Sequence, residues 1–143
     1  MATRCQVQVV DEKNAEDKVT LYHHWDGYPE NMIPLITKAY DEYAKGWEGG
    51  RVGKVASMLC AVDPMQFEPE AGHDLHGDIE FLYKVIVKNP EGMHVGSKPS
   101  WDVETWVVSF DFEGEMSDEE RLGIKNVVHL KPGDIHMDTT DEE

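Results

Sequence analysis

The sequence has few positive charges and no long apolar run, and each shortage excludes a class of protein. The 143-residue chain contains 13 Lys and Arg against 29 Asp and Glu, a net charge of −16 with histidine neutral. Nucleic-acid phosphates and anionic lipid surfaces attract clustered Lys and Arg, so this balance argues against both as partners. The longest useful uncharged apolar stretch, Val55 to Val62, is far too short to span a membrane.

Cysteine is scarce as well. Cys5 and Cys60 are the two in the chain; they lie far apart in sequence, with no second cysteine pair to form a zinc knot. We expect both to be reduced and to pack in the interior rather than to act as nucleophiles. The first residues also lack the apolar segment of a secretory signal. Together these shortages predict a soluble cytoplasmic protein.

The chain nevertheless carries enough apolar residues to build a core. It has four Trp, five Tyr and four Phe, and 40% of its residues are hydrophobic. Alternating or helical spacing of these residues predicts secondary structure throughout. The predicted strands are Thr3 to Val10, Lys18 to Trp25, Asp78 to Lys88 and Trp101 to Phe112, with a short one at Val127 to Leu130. The predicted helices begin after an N-cap at Asn31, at Arg51, and at a capping box at Ser117.

The order β-β-α-α-β-β predicts an α+β fold. Strands that come in hairpins around a helix pair favour two layers, with an antiparallel sheet packed on the helices. We expect a single domain over residues 1–130 and an acidic, partly irregular tail over residues 131–143. Residues 111–143 hold eleven acidic and three basic residues, so 3 − 11 = −8, which is half the net charge of the chain.

The first motif of chemical interest follows the second predicted strand, at His23-His24-Trp25-Asp26-Gly27-Tyr28-Pro29. One interpretation makes it a binding site beside the first helix, with candidate residues His24, Trp25, Asp26 and Tyr28. The structural alternative buries Trp25 in the core, lets Asp26 cap a turn and gives Gly27 a positive φ.

This motif carries a resemblance. Residues 22–30, together with Gly77-Asp78-Ile79-Glu80-Phe81-Leu82-Tyr83, are similar to a group of small uncharacterised bacterial and phage proteins with a His-Trp-Asp-Gly-Tyr-Pro motif. The resemblance covers roughly residues 7–87 in the order of elements. The resemblance indicates related proteins but implies no particular reaction, because the group has no established activity.

The second motif is His73-Asp74-Leu75-His76-Gly77-Asp78. His73, His76 and Asp78 are candidate ligands of a divalent metal, and His23 and His24 could complete such a site across the sheet. The two histidines lie on a predicted loop rather than on a helix, which excludes a protease zinc motif. The alternative is a solvated polar loop. A weaker set in the tail comprises His129, His136 and Asp138.

No nucleophile motif accompanies these residues. The sequence has no Gly-x-Ser-x-Gly, and its glycine-rich stretch at residues 46–54 lacks the Lys-Ser/Thr of a phosphate loop. The leading hypothesis is therefore a non-enzymatic binding or interaction protein that needs no cofactor. One alternative is a metal-binding protein or metal-dependent enzyme that uses the 23–28 and 73–78 segments. A second is an acidic protein that mimics nucleic acid and occupies a basic protein partner. A homodimer remains open.

Overall fold

The computed structural model describes residues 2–89 and 98–133. Its helices and strands are, in chain order, β1 (Cys5–Asp11), β2 (Asn14–His23), α1 (Pro29–Tyr43), a 3₁₀ helix (Gly46–Gly50), α2 (Val52–Val62), β3 (Phe67–Pro69), β4 (Phe81–Lys88), β5 (Ser100–Val108), α3 (Asp118–Arg121) and β6 (Leu122–Leu130). The strands form one six-stranded sheet in the order β3-β2-β1-β4-β5-β6. The mixed α and β content agrees with the sequence prediction.

One face of the sheet forms the core with the helices. Successive side chains of a strand point to opposite faces, so Cys5, Val7 and Val9 of β1 lie together on the helix side, fully buried. They belong to one cluster with Met32 and Ile36 of α1 and with buried residues of α2, β4 and β5. Gln6 and Gln8 must then point to the opposite face, where residues 70–76 hydrogen-bond to them.

Two buried aromatic residues connect this core to its loops. Trp101 and Tyr40 are both fully buried and meet edge to face, with ring centroids 5.1 Å apart. The indole Nε1 of Trp101 donates to Gly49 O at 2.8 Å, and Tyr40 Oη donates to Pro99 O at 2.6 Å. Both polar atoms are thus satisfied, which removes the cost of burying them.

The prediction of an antiparallel sheet is wrong at one strand pair. β1 and β4 run parallel, with Cys5 beside Phe81 and Asp11 beside Val87. The cause is β3, which pairs with the outer edge of β2. To reach β4 from that edge, the chain must pass back across β2 and β1. Helices α1 and α2 occupy one face, so residues 70–80 cross on the other and bring β4 in alongside β1.

Several predicted boundaries also move. Helix α1 starts at Pro29 rather than after Asn31, because proline at the first helical position has its φ already set and lacks only an N–H that would be unpaired there. β5 ends at Val108, short of the predicted Phe112. β6 spans Leu122–Leu130 and is much longer than the predicted piece. The predicted tail lies outside the described residues from 134 onward.

Candidate functional site

The crossing loop, residues 70–78, is held to the sheet by a buried glutamine. Gln6 is fully buried, and its Nε2 donates to Glu70 Oε1 and to Asp74 O, each at 3.1 Å. Its Oε1 accepts from the backbone N–H of His76 at 3.0 Å. Both ends of the amide are therefore satisfied, and three points of the loop are fixed by one side chain.

The neighbouring polar residues of the same face hold the middle of the loop. Gln8 Nε2 donates to His73 O at 3.2 Å, and Thr20 Oγ1 hydrogen-bonds His73 Nδ1 at 2.7 Å. The predicted metal ligand His73 is thus used to fasten the loop to β2. Its imidazole contacts a hydroxyl of the sheet rather than the other predicted ligands.

A buried arginine ties the end of the loop to the far strands. Arg121 is only 4% exposed, and its guanidinium donates to Ser109 O at 2.9 Å, His76 O at 2.7 Å and Leu75 O at 3.5 Å. It stands at the end of α3, whose start is fixed by the predicted capping box at Ser117. The cation is therefore committed to backbone carbonyls of two loops.

The predicted residues His24, His76 and Asp78 come together around Tyr22. The Tyr22 ring stacks on His76 with centroids 4.8 Å apart, and its Oη lies 2.8 Å from His24 Nδ1. His76 Nε2 hydrogen-bonds Glu70 Oε1. Asp78 pairs with the Arg4 guanidinium at 3.4 Å. Three members of this cluster were candidate site residues in the sequence analysis. Tyr22, which lies at its centre, was not.

The electrostatics of the cluster act on Tyr22. Burial raises the pKa of its hydroxyl, and the negative charge of Asp78 raises it further, while Arg4 opposes both. The phenol therefore stays protonated near neutral pH and can donate or accept hydrogen bonds. This arrangement links the first motif to the second through one aromatic ring, on the face of the sheet opposite the helices.

The turn at residues 24–28 differs from the structural alternative drawn from the sequence. Trp25 is 54% exposed instead of buried, and its ring meets His24 edge to face at 4.6 Å. Asp26 rather than Gly27 takes the positive φ, 55°. Gly27 is needed for close approach, since a Cβ there would lie 2.7 Å from Thr3 O. Tyr28 is also exposed, and the Asp26 charge raises its pKa.

Beside the cluster opens a cleft of about 740 Å³ between the 70–78 loop and residues 111–118, here called the acidic cleft. Five of the described residues that line it are acidic: Asp74, Asp78, Asp111, Glu113 and Asp118. Among those same residues, Arg121 alone is basic, and its guanidinium is occupied by carbonyls. Counted over the described lining, the formal charge is 1 − 5 = −4, although Asp78 is also paired with Arg4. The open space therefore faces a net negative lining.

One wall of the acidic cleft is built by Asp111. Its carboxylate accepts the backbone N–H groups of Met116 and Glu115, both at 3.0 Å, which closes residues 111–116 into a turn. The hydrogen bond from Met116 lowers the pKa of Asp111; burial opposes this, and the bond from Glu115 and the charge of Arg121 add to the lowering. Asp111 is consequently ionised at neutral pH.

An exposed aromatic pair stands at the same wall. Phe110 and Phe112 are 50% and 75% exposed, with ring centroids 5.3 Å apart. Phe112, Leu75 and Met116 give the acidic cleft its apolar lining. The sequence placed both phenylalanines in a strand because they alternate with polar residues, yet β5 ends before them.

The remaining predicted metal residues are separated from this site. His23 is buried and hydrogen-bonds Asp63 at the end of α2, 2.8 Å away, on the helix face. His129 pairs with Asp102 on β5 at 2.7 Å. His136 and Asp138 lie outside the described residues. Within residues 2–89 and 98–133, no three His, Cys, Asp or Glu side chains are grouped so as to hold a metal ion.

Both cysteines carry free thiols, and burial raises the pKa of each. Cys5 is fully buried, so its thiol is protonated and packed, as expected from the sequence. No helix of the described residues is long and apolar enough to cross a membrane.

No protein-family model, curated protein or solved structure matches the chain. The function must therefore be argued from the chemistry of the acidic cleft and of the cluster around Tyr22.

Proposed function

We propose that this protein is a non-enzymatic binding protein, and that it takes a basic segment of a protein partner into the acidic cleft. The single observation that carries the proposal is the composition of that cleft. Five acidic side chains line it, and the one basic side chain among the described lining residues is bound to backbone carbonyls. Such a site attracts cations and repels anions.

The apolar wall favours lysine or arginine side chains over a simple inorganic cation. Both residues have long aliphatic stems, which gain from contact with Met116 and Leu75, while their charged heads reach carboxylates. The exposed ring of Phe112 adds a surface over which a guanidinium can stack. A cleft of about 740 Å³ has room for several side chains rather than a single ion.

The charge of the whole chain supports the same partner. A net charge of −16 raises the rate at which a basic protein encounters this one, and salt weakens that attraction. A basic groove that normally holds nucleic acid is one surface of this kind, which retains the nucleic-acid-mimic hypothesis as a special case.

A fluorescence-anisotropy titration tests the proposal. The probe is a labelled hexapeptide of alternating arginine and lysine, with a hexaglutamate peptide as the charge-reversed probe. Glu113→Gln/Asp118→Asn removes two exposed carboxylates from the acidic cleft. We expect it to raise the Kd for the basic peptide roughly three- to tenfold, as exposed ion pairs contribute up to about 1 kcal/mol each.

The matched control is Glu16→Gln/Asp17→Asn, which removes two exposed carboxylates from β2, away from the acidic cleft. It should change the Kd less than twofold. Equal weakening by both variants would show that the peptide responds to overall charge and would sink the proposal. A second pair isolates the apolar wall: Phe112→Ala should weaken binding, whereas Met65→Ala, which trims another exposed apolar side chain, should not.

The metal alternative is tested on the same protein. The convergence of His24 and His76 on Tyr22 gives it two imidazoles on one face. Calorimetric titration with zinc, manganese and nickel should release no heat of stoichiometric binding if the protein acts as proposed. Stoichiometric binding that is lost in His24→Ala/His76→Ala would favour the metal site instead.

A further inference from the structure

A second cavity, of about 600 Å³, lies at the opposite end of the sheet from the acidic cleft. It is formed where β4 and β6 end and β5 begins, and we call it the lysine pocket. Three lysines line it, Lys88, Lys98 and Lys131, together with His129. The described acidic residues of its lining are two, Glu12 and Asp102.

This concentration of lysine is unusual for the chain. Thirteen Lys and Arg are spread over 143 residues, and three of them meet in this one cavity. Counting formal charges of the described lining, 3 − 2 = +1 with His129 neutral, in a molecule whose net charge is −16. The described lining of the lysine pocket thus carries a small positive formal charge, whereas the protein as a whole is strongly negative.

Lys88 and His129 are both held in place by the protein. Asp102, whose side chain is 18% exposed, accepts from Lys88 Nζ at 3.1 Å through Oδ2 and lies 2.7 Å from His129 Nδ1 through Oδ1. Lys88 also approaches Glu12 at 3.8 Å. One carboxylate therefore orders a lysine and a histidine side by side, and the lysine retains further N–H donors for a ligand.

A second lysine, Lys98, is positioned from the core. Lys98 Nζ lies 4.3 Å from the centroid of the Tyr40 ring, which is buried and whose hydroxyl donates to Pro99 O. A cation over an aromatic face is restricted in direction. Ser100, next to it in the lining, adds a hydroxyl donor. Charges fixed before binding cost less entropy when a ligand arrives.

We propose that the lysine pocket binds a small phosphate-bearing anion. Lysine ammonium groups are common phosphate ligands, and the volume suits a small phosphorylated molecule. A multiply charged group is required, because it must compete with Glu12 and Asp102 for the same ammonium groups. A singly charged carboxylate gains too little in that exchange. The site is independent of the acidic cleft, so either proposal can fail alone.

Isothermal titration calorimetry at constant ionic strength tests the site with three probes: inorganic pyrophosphate, orthophosphate and acetate. We expect pyrophosphate to bind best and acetate to give no measurable binding. Lys98→Gln/Lys131→Gln should raise the Kd for pyrophosphate roughly tenfold or more, because it removes two charge-assisted contacts.

The control is Lys38→Gln/Lys54→Gln, which removes two exposed lysines from α1 and α2 and changes the net charge by the same amount. It should leave the Kd within twofold of the wild type. Equal loss in both variants would overturn the proposal, since it would mean a diffuse charge effect. The proposal would also be overturned if pyrophosphate gave no heat, or if acetate bound as well as pyrophosphate.

Amide NMR spectra of the same titration locate the ligand. Pyrophosphate should shift the resonances of Ser100, Asp102 and His129 in the wild-type protein. Shifts confined to residues outside the lysine pocket would contradict the assignment even if the heat of binding were large.

Discussion

Gly77 sets the closest approach between the two segments that form the acidic cleft. Its carbonyl accepts the N–H of Asp111 at 2.9 Å, and a Cβ at this position would lie 2.5 Å from Asp111 O. A backbone atom cannot yield as a flexible side chain would. The width of the acidic cleft therefore depends on a residue without a side chain.

We predict that Gly77→Ala destabilises the protein by about 1–3 kcal/mol, as expected for overpacking against backbone. It should also weaken binding of the basic peptide, because residues 111–116 must move. Gly72→Ala is the matched control in the same loop, where an added Cβ meets nothing within 4 Å. Urea unfolding and peptide titration of both variants measure the difference. Equal stability of the two variants would contradict this account of the cleft wall.

Gln6 is the residue on which the crossing loop depends most. Replacing it by leucine keeps the approximate size but leaves His76 N–H and Asp74 O without their partner. We predict a loss of about 2–4 kcal/mol in the free energy of unfolding and faster hydrogen exchange at the His76 amide.

Gln66→Leu, at an exposed site before β3, is the control and should change stability by less than about 0.5 kcal/mol. If Gln6→Leu unfolds with the same urea midpoint as the wild type, the glutamine does not hold the loop.

The contacts of these residues could not be predicted from the sequence, because they join segments that are far apart along the chain. Gln6 and Gln8 alternate with Cys5, Val7 and Val9, a pattern that indicates a solvated face, and nothing local reveals that a loop more than sixty residues away covers them. His24, His76 and Asp78 could be chosen by residue type alone. Their meeting at Tyr22 depends on the crossing path of the chain.

At the scale of elements, β4, β5 and β6 carry the lysine pocket at one end and approach the acidic cleft at the other. Asp102, in β5, reaches across to β4 through Lys88 and to β6 through His129. Burial raises the pKa of its carboxyl, but the hydrogen bonds from His129 and Lys88 outweigh that effect, so the pKa is lowered overall. The same bond to Asp102 raises the pKa of Lys88.

A lowered carboxyl pKa in the folded state makes stability depend on pH in a defined direction. The contribution of Asp102 is complete above its unfolded pKa, near 3.8, and is lost as the pH falls through the lower folded value. Asp102→Asn should therefore lose less stability than the wild type between pH 5 and pH 2.5, by urea unfolding at each pH.

Asp17→Asn, an exposed substitution on β2, serves as the control and should follow the wild-type curve. Parallel pH curves for Asp102→Asn and the wild type would contradict the assigned role of the carboxylate.

Most elements were predictable because their apolar spacing is local. β1, β4, α2 and the capping box of α3 fall within a few residues of their predicted positions. β3 was missed because three residues carry no periodic signal, and that small strand decides the parallel pairing of β1 with β4. The prediction of a fully antiparallel sheet failed because β3 was missed, and not because β1 or β4 was placed wrongly.

At the scale of the whole molecule, the two cavities are separated by the length of the strands. β4 has eight residues, which at roughly 3.3 Å per residue corresponds to about 25 Å. Along the sequence, half of the net charge lies in residues 1–110 and half in residues 111–143. The fold divides it differently, by placing acidic residues of two distant segments at one end of the sheet and lysines of three segments at the other.

The central claim is that a basic peptide enters the acidic cleft, and amide NMR mapping tests it most directly. Titrating the arginine–lysine hexapeptide into ¹⁵N-labelled protein should shift the amides of residues 74–78 and 111–118 first, and those shifts should shrink in Glu113→Gln/Asp118→Asn. Shifts spread evenly over exposed acidic residues, with those at Glu16 and Asp17 as large as those at Asp78 and Asp118, would contradict the claim.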